Sequence, residues 1–546
     1  MKKYFNNKIM LAFLSVGMLS ASCESYLEEE NKSFVSIETS QKYPQTFDQL
    51  VAAVYLKARE TTTKYTSNMY YVLEDMGTDI ITRGGIVAGV DENNDYVNFS
   101  VRNWPVQVYW SNQYSLIASA NIVIDNAETI QGVSVDTKKV GLGEAKFFRA
   151  MAYFNLVENF GGVPLVLNQV KTAERNFTRE TEENVYKQIV ADLTDALDGV
   201  PATTTVYGRL TKDAVRHFMS KVLLTRGYKS FGTPADFTQS ASLADAVIAN
   251  HALVSSFASL TSIENQRNSE VIFSYLFGSN SSSMGWGNSR HQLYKFEFFN
   301  YPGLKRSVKG VSGMPTPYFY SLFDDNDQRA AGTFKRVLYA DQNFSATING
   351  MTVNGVVGDT IMYFPKVAWS DSKIATKKYF VINPDKYFTS DGTTAVHHPI
   401  FRKFDDPSAP FAYGDQRSQG QRDMVIMRSG EAYLIAAEAY LKASNATTAA
   451  QRLTTLRSRA GITTPVTSGQ VTIDFILDER ARELAGEVNR WMDLKRTNKL
   501  VERAKLYNPH VAFNNALKPY HMLRPIPQSE IDLTGGMLTQ NPEYTN

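Results

Sequence analysis

From about residue 46 to residue 257, apolar side chains recur at intervals of three and four, the spacing that lines one face of a helix. This predicts a helix through Phe47, Leu50, Val51, Val54 and Tyr55, and another through Val108, Tyr109, Trp110, Tyr114, Ile117, Asn121 and Ile122. A third runs from Gly143 to Phe160, where Gly161-Gly162-Val163-Pro164 breaks it. A fourth surrounds Val185, Ile189, Leu193 and Leu197, and a fifth spans Thr211 to Tyr228. Between Thr261 and Gly420 the period fades, and Gly, Ser, Asn and Asp become frequent, as in Gly278-Ser279-Asn280-Ser281. Val271–Tyr275 reads there as a short strand. So long an irregular stretch inside a domain is functional or disordered, and its interspersed aromatics favour function. Helical spacing returns at Met424. Met424–Ala443 is apolar nearly all round and predicts one buried helix. Further helices are expected over Ala449–Arg459, ended by Gly461, and over Ile473 to about Arg496, before a loop-rich tail containing Arg524-Pro525-Ile526-Pro527-Gln528. Helix pairs with short connections suggest an all-α, tetratricopeptide-like solenoid, although no clean 34-residue repeat is present.

The N-terminus has a different pattern. Lys2, Lys3 and Lys8 precede the apolar run Ile9–Leu19, which is shorter than the roughly 20 residues that span a bilayer. Leu19-Ser20-Ala21-Ser22-Cys23 resembles a bacterial lipobox, with Ser20 at the usual leucine position. Cys23 is the sole cysteine, so it forms neither an internal disulfide nor a thiolate metal site. Lipid on Cys23 would contribute about 0.8 kcal/mol per buried methylene, tethering the chain to a membrane without inserting it. The alternative is an ordinary secretory leader with a stray cysteine. The acidic stretch from Glu24 to Lys32 reads as a flexible tether and resembles the surface-export signals of Bacteroidetes lipoproteins. The chain thus divides into a signal peptide (1–22), a tether (23–45), an N-terminal helical region (46–260), a loop-rich ligand-facing region (261–420) and a C-terminal helical region (421–546).

Composition narrows the partners. With the leader's three lysines set aside, the net charge is about −1, which argues against nucleic acid. No second long apolar run is present. Aromatics make up 12% of the chain, enough to build stacking platforms as well as core.

Six motifs in order resemble the SusD/RagB family. The first is Gly143–Val157 followed by Phe160-Gly161-Gly162-Val163-Pro164, with Trp110, Tyr114, Ile117 and Asn121 on the preceding helix. Next come Asn268–Phe273, Glu431–Leu441, and Glu479–Glu487 with Arg490-Trp491-Met492-Asp493-Leu494-Lys495-Arg496. Pro525–Ile531 and Thr539–Tyr544 close the series. The resemblance implies one helical domain with tetratricopeptide-like repeats and a loop-rich face. It implies a lipid-anchored, surface-exposed protein of the outer membrane, acting as a lid on a SusC-like TonB-dependent transporter. It also implies capture of glycans, or peptides in the RagB branch, without catalysis.

Catalysis has one candidate. Glu479, Glu483 and Glu487 lie four apart on one predicted face, and paired carboxylates serve glycoside hydrolysis. Arg480, Arg482 and Arg490 offer the competing explanation, a lattice of ion pairs between helices. Glu431 and Glu438 sit on an apolar helix, with Arg428 placed to pair with Glu431. The histidines are scattered. Asp91–Asp95 and Asp324–Asp327 resemble calcium loops, but their twelfth positions are Arg102 and Lys335 instead of Glu. No cofactor is expected. A structural calcium ion stays open without a supporting motif.

Trp110 and Trp491 fall within family helices and are expected in the core. Trp104, Trp286 and Trp369 lie in loop-rich stretches, where rings beside amide and guanidinium groups suit a sugar. Trp286 precedes Asn288, Arg290, His291 and the alternating Tyr294, Phe296 and Phe298, which could equally be one face of a strand. Asp79 and Arg83 precede the loop that runs to Trp104. The expected ligand residues are therefore Trp286, Trp104, Trp369, Arg83 and Asp79. The leading expectation is an oligosaccharide-binding lipoprotein. The alternatives are a peptide-capturing protein, a surface glycoside hydrolase and a pure adhesion protein.

Overall fold

The computed structural model describes residues 40–63, 69–84, 89–278, 287–295, 301–304, 313–388, 397–406, 420–487 and 489–544. The signal peptide, Cys23, Trp286, Phe296 and Phe298 lie outside the described residues, as does most of the tether.

The N-terminal region forms α1 (Gln45–Thr63), α2 (Met69–Asp75), α3 (Asp91–Asp95), α4 (Trp104–Asn126), α5 (Val135–Phe160), α6 (Glu182–Gly199), α7 (Lys212–Arg226) and α8 (Pro234–Asn250). Their starts are written in the sequence. Asn103, Ser134 and Thr181 cap α4, α5 and α6 by accepting from backbone N–H groups of the first turn. Pro105 sits in the first turn of α4, where its missing N–H costs nothing. Gly161, at φ 73°, ends α5 as expected.

The C-terminal region forms α9 (Ser429–Lys442), α10 (Ala446–Arg459), α11 (Ile473–Leu484), α12 (Arg490–Arg496), α13 (Leu500–Tyr507) and α14 (Pro509–Asn514). Each helix from α4 to α8 packs on its successor, α8 packs on α9, and α9 meets α10 and α11. Such nearest-neighbour packing buries a continuous core. Phe147, Phe148, Phe154, Phe160, Tyr186 and Phe218 fill it, together with Trp110 and Trp491. Full burial of an apolar side chain contributes about 1.5–3 kcal/mol.

The domain is mainly helical, not all-α. Strands β1 (Ile81–Arg83) and β3 (Gly313–Pro315) pair, as do β2 (Val271–Tyr275) and β11 (Met424–Arg428), and β4 (Phe334–Lys335) and β10 (Ile400–Phe401). A three-stranded sheet orders β5 (Val337–Tyr339), β8 (Thr360–Tyr363) and β9 (Phe380–Val381). Strands β6 (Phe344–Ile348) and β7 (Met351–Gly355) form a hairpin closed by Asn349 and Gly350, both at positive φ. A second core of Met314, Leu338, Ile348, Ile361, Met362 and Phe364 lies under these strands.

Two predicted helices are corrected. Met424–Arg428 is a strand because it completes a ladder with β2, and the helix begins only at Ser429. A short apolar run carries no period that tells these apart. The Ile473–Arg496 helix is broken: Gly486 and Asn489 have φ of 74° and 92°. A Cβ on Gly486 would meet Phe404 at 2.5 Å and Phe401 at 2.9 Å, so the turn packs where only glycine fits. Tyr294 belongs to a turn, not a strand. Its buried ring stacks on Phe401 at 4.3 Å.

Candidate ligand-binding surface

The loop from β1 to α4 carries Arg83 and Trp104 on one amide-pinned unit. Arg83 Nε donates to Asp95 Oδ2 at 2.9 Å, with the two side chains 12% and 10% exposed. Asp95 closes α3. Within α3, Asn93 Nδ2 donates to Gly89 O at 2.8 Å and to Asn103 Oδ1 at 2.9 Å, and Asn94 Nδ2 reaches Thr82 Oγ1 at 3.3 Å. Asn103 Nδ2 donates to Gly89 O and Glu92 Oε2, while its Oδ1 caps α4. Trp104 opens α4 and is 40% exposed. Gly89, at φ +81°, lies flush against the indole, and any Cβ there would overlap the ring. The same loop is clamped from the C-terminal region. Asn508 Nδ2 donates to Thr78 O at 2.8 Å, and Thr82 Oγ1 meets His510 Nδ1 at 2.7 Å. The exposed indole offers an apolar face, and the Arg83–Asp95 pair on the same hydrogen-bonded loop offers polar groups.

Asp79 is corrected. It is fully buried, and it accepts from Arg490 at 2.8 and 2.6 Å and from Arg503 at 2.7 Å. Burial raises its pKa, but the two guanidiniums outweigh that and hold it below the usual aspartate range. A saturated interior carboxylate has no surface to offer a ligand. Its role is to tie β1's approach to α12 and α13, a role invisible from its proximity to Arg83 in sequence.

Trp369 sits apart. Its backbone N–H donates to Asn383 Oδ1 at 2.9 Å and its carbonyl accepts from Asn383 Nδ2 at 2.8 Å. The half-buried ring lies 5.0 Å from Tyr363, with Lys373 Nζ 3.7 Å above its centroid. No contact among the described residues joins Trp369 to Trp104 or Arg83. Sequence reasoning missed Asn93, Asn103 and Gly89. Only the Asn-rich run around them hinted at side chains bonded to backbone.

The acidic helix face is an ion lattice. Glu479 accepts from Arg329 at 2.5 Å and from Arg457 and Arg482 at 2.8 Å each. Glu483 accepts from Arg428 at 2.7 Å and also pairs with Arg459. Glu487 accepts from Arg428 at 2.7 Å through each oxygen and contacts Lys403. Burial pushes Glu479 up, yet Arg329, Arg482 and Arg457 outweigh it and hold the carboxyl at about 2. A general acid needs the opposite shift. Arg428 therefore belongs to this lattice and does not pair with Glu431, as its spacing had suggested. Glu431 instead takes His217 at 2.9 Å and Lys221 at 3.0 Å. Glu438 pairs with Arg496 at 2.8 Å. Asp91–Asp95 is helical, and Asp327 caps a short helix while binding Arg329. No group of three metal-binding side chains occurs among the described residues.

A sequence profile described as "SusD family" matches residues 269–544, half of the chain. The chain belongs to the SusD family. A second profile, described as "Starch-binding associating with outer membrane", matches residues 25–224. SusD-like protein P25 of Formosa agariphila is 24% identical, over 97% of each chain. A SusD-like protein of Bacteroides ovatus is 36% identical over 23% of each. Among solved structures, a SusD homolog from Bacteroides thetaiotaomicron has a TM-score of 0.71 at 20% identity, covering 94% of this chain and 99% of its own. A laminarin binding SusD-like protein scores 0.68 at 21% identity, covering 92% and 100%. Surface glycan-binding protein A from Bacteroides fluxus scores 0.68 at 19% identity, covering 92% and 100%. These identities speak for a shared fold. The SusD-family resemblance read from the six motifs holds.

Proposed function

We propose that this SusD-family protein captures an oligosaccharide on the surface around Arg83 and Trp104 and passes it, chemically unchanged, to a SusC-like TonB-dependent transporter. Cys23 carries the lipid that anchors it to the outer membrane, facing outward. The observation that carries the reading is Trp104: a ring 40% exposed, backed by Gly89 and joined through the Asn93–Asn103 hydrogen bond to the short helix that carries Asp95. A ring this large, with part of its surface exposed, gives a sugar an apolar face to stack on. The family relationship supports glycans as cargo, and two structural relatives, a laminarin binding protein and a surface glycan-binding protein, point the same way. Trp369 and Trp286 are further contacts in this reading, while Asp79 is not. The absence of turnover is supported by the saturation of Glu479, Glu483 and Glu487.

The test is calorimetric titration of the full chain with oligosaccharide fragments, using Trp104→Ala and Arg83→Ala, alongside a peptide-library pulldown. Saturable saccharide binding that both variants weaken supports the reading. Peptide capture with no saccharide binding replaces it by a RagB-type function. Mass spectrometry of Cys23 and co-purification of a transporter test the anchor and the partner.

A further inference from the structure

Strand β11 stands between two cavities. One, of about 50 Å³, lies toward the helices and is walled by Tyr70, Asn155, His217, Lys221, Tyr275 and Met427 among others. The second, also of about 50 Å³, includes Lys403, Phe404, Arg422, Met424 and Arg428 in its wall. Arg290 and Glu487 line both.

Arg290 is 7% exposed, and its guanidinium makes no hydrogen bond or ion pair among the described residues. Its contact there is the Phe404 ring, 5.3 Å from Cζ. The side chain is positioned from the backbone, where Arg290 N–H donates to Asn288 Oδ1 at 3.0 Å. The carboxylates lining the cavities are already committed. Glu487 serves Arg428 and Lys403, Glu431 serves His217 and Lys221, and Asp423 serves Arg267 at 2.8 Å. The buried Tyr275 hydroxyl, in the wall of the first cavity, likewise has no hydrogen-bond partner among the described residues. Asp75 lies within electrostatic reach of Arg290 but gives its Oδ2 to the Tyr294 hydroxyl, so the guanidinium N–H groups are left without an acceptor among the described residues.

We propose that Arg290 is the anchor of an internal anion site, taking one carboxylate or sulfate group in the bidentate geometry that guanidinium favours. The group is carried by an acidic saccharide residue or by a small free anion. The site is separate from the Trp104 surface and stands whether or not that surface binds sugar.

The full chain is titrated at fixed ionic strength with sodium sulfate, D-glucuronate and, as neutral control, D-glucose. Sulfate or glucuronate is expected to bind saturably, with D-glucose silent. Arg290→Gln is expected to weaken that binding at least tenfold, and Trp104→Ala to leave it unchanged. Glucuronate binding without sulfate binding assigns the saccharide source, and the reverse assigns the free anion. Failure of both to bind, or equal binding by Arg290→Gln, overturns the proposal. Should Arg290→Gln not fold, wild-type crystals soaked in selenate decide. An anomalous peak within hydrogen-bonding distance of the guanidinium supports the site, and its absence overturns it.

Discussion

Arginines and carboxylates occur in two settings here that do opposite work. Around α11, Glu479 and Glu483 are buried and every accepting oxygen faces a guanidinium. In the β1–α4 loop, Arg83 and Asp95 share one pair, 12% and 10% exposed, on the same loop as the exposed Trp104. The residue types are the same, and the spacing along the chain does not separate them. Saturation and burial do. A carboxylate enclosed by several cations is fixed in one charge state and contributes architecture, whereas a partly exposed pair keeps spare donors and acceptors for a ligand.

The comparison breaks first at the lattice. Glu483→Leu removes the carboxylate that Arg428 and Arg459 share, leaving them only Glu487 and Glu270, and should cost about 3–5 kcal/mol in urea unfolding. Affinity of the folded protein for saccharide should be unchanged. If affinity falls instead and stability holds, the lattice is a site after all.

Asp79→Ala should have a somewhat smaller effect, about 3 kcal/mol, because Arg503 keeps Asp474 at 2.9 Å and Asp478 at 2.5 Å. Ligand titration of the same variant should show unchanged saccharide affinity. A pure affinity loss would return Asp79 to the binding surface.

Acid sharpens the contrast. Glu479 and Glu158 are pushed up by burial, but the cations around them prevail and hold both at about 2, below their ordinary 4.5. The unfolded chain therefore binds protons first, so their stabilisation is complete above about pH 4.5 and lost as pH falls toward 2. Asp75 runs the other way. Burial raises it to about 6, so its protonated form favours the fold and that contribution fades as pH rises through 6. Unfolding curves across pH should be shallower below 4.5 for Glu479→Gln and flatter near 6 for Asp75→Asn.

The smallest effect on stability and the clearest on function belongs to Trp104→Ala. Loss of one stacking ring is worth about 0.5–1.5 kcal/mol, roughly a threefold to tenfold loss of affinity by calorimetry. The melting temperature should shift little.

Much of the helical frame was legible because its signals are local. Asn103, Ser134 and Thr181 mark helix starts, Gly161 marks an end, and apolar spacing marks the faces between. The sequence alone did not reveal that Met424–Arg428 pairs with Val271–Tyr275, since strand pairing is decided by a partner some 150 residues away. The break at Gly486 depends on Phe401 and Phe404, which lie more than 80 residues earlier. At the surface, Trp104 and Arg83 could be chosen because a large ring and a cation stood in a loop. Asp79 stands beside the same loop, but its partners Arg490 and Arg503, more than 400 residues further on, take it into the interior.

Affinity electrophoresis through gels containing a panel of polysaccharides, followed by a reducing-end assay of the same mixtures, tests the central claim most directly. At least one polysaccharide should retard the wild-type protein and release Trp104→Ala, with no new reducing ends formed. Equal retardation of the variant, retardation by none, or a rise in reducing ends would contradict binding without catalysis at this surface.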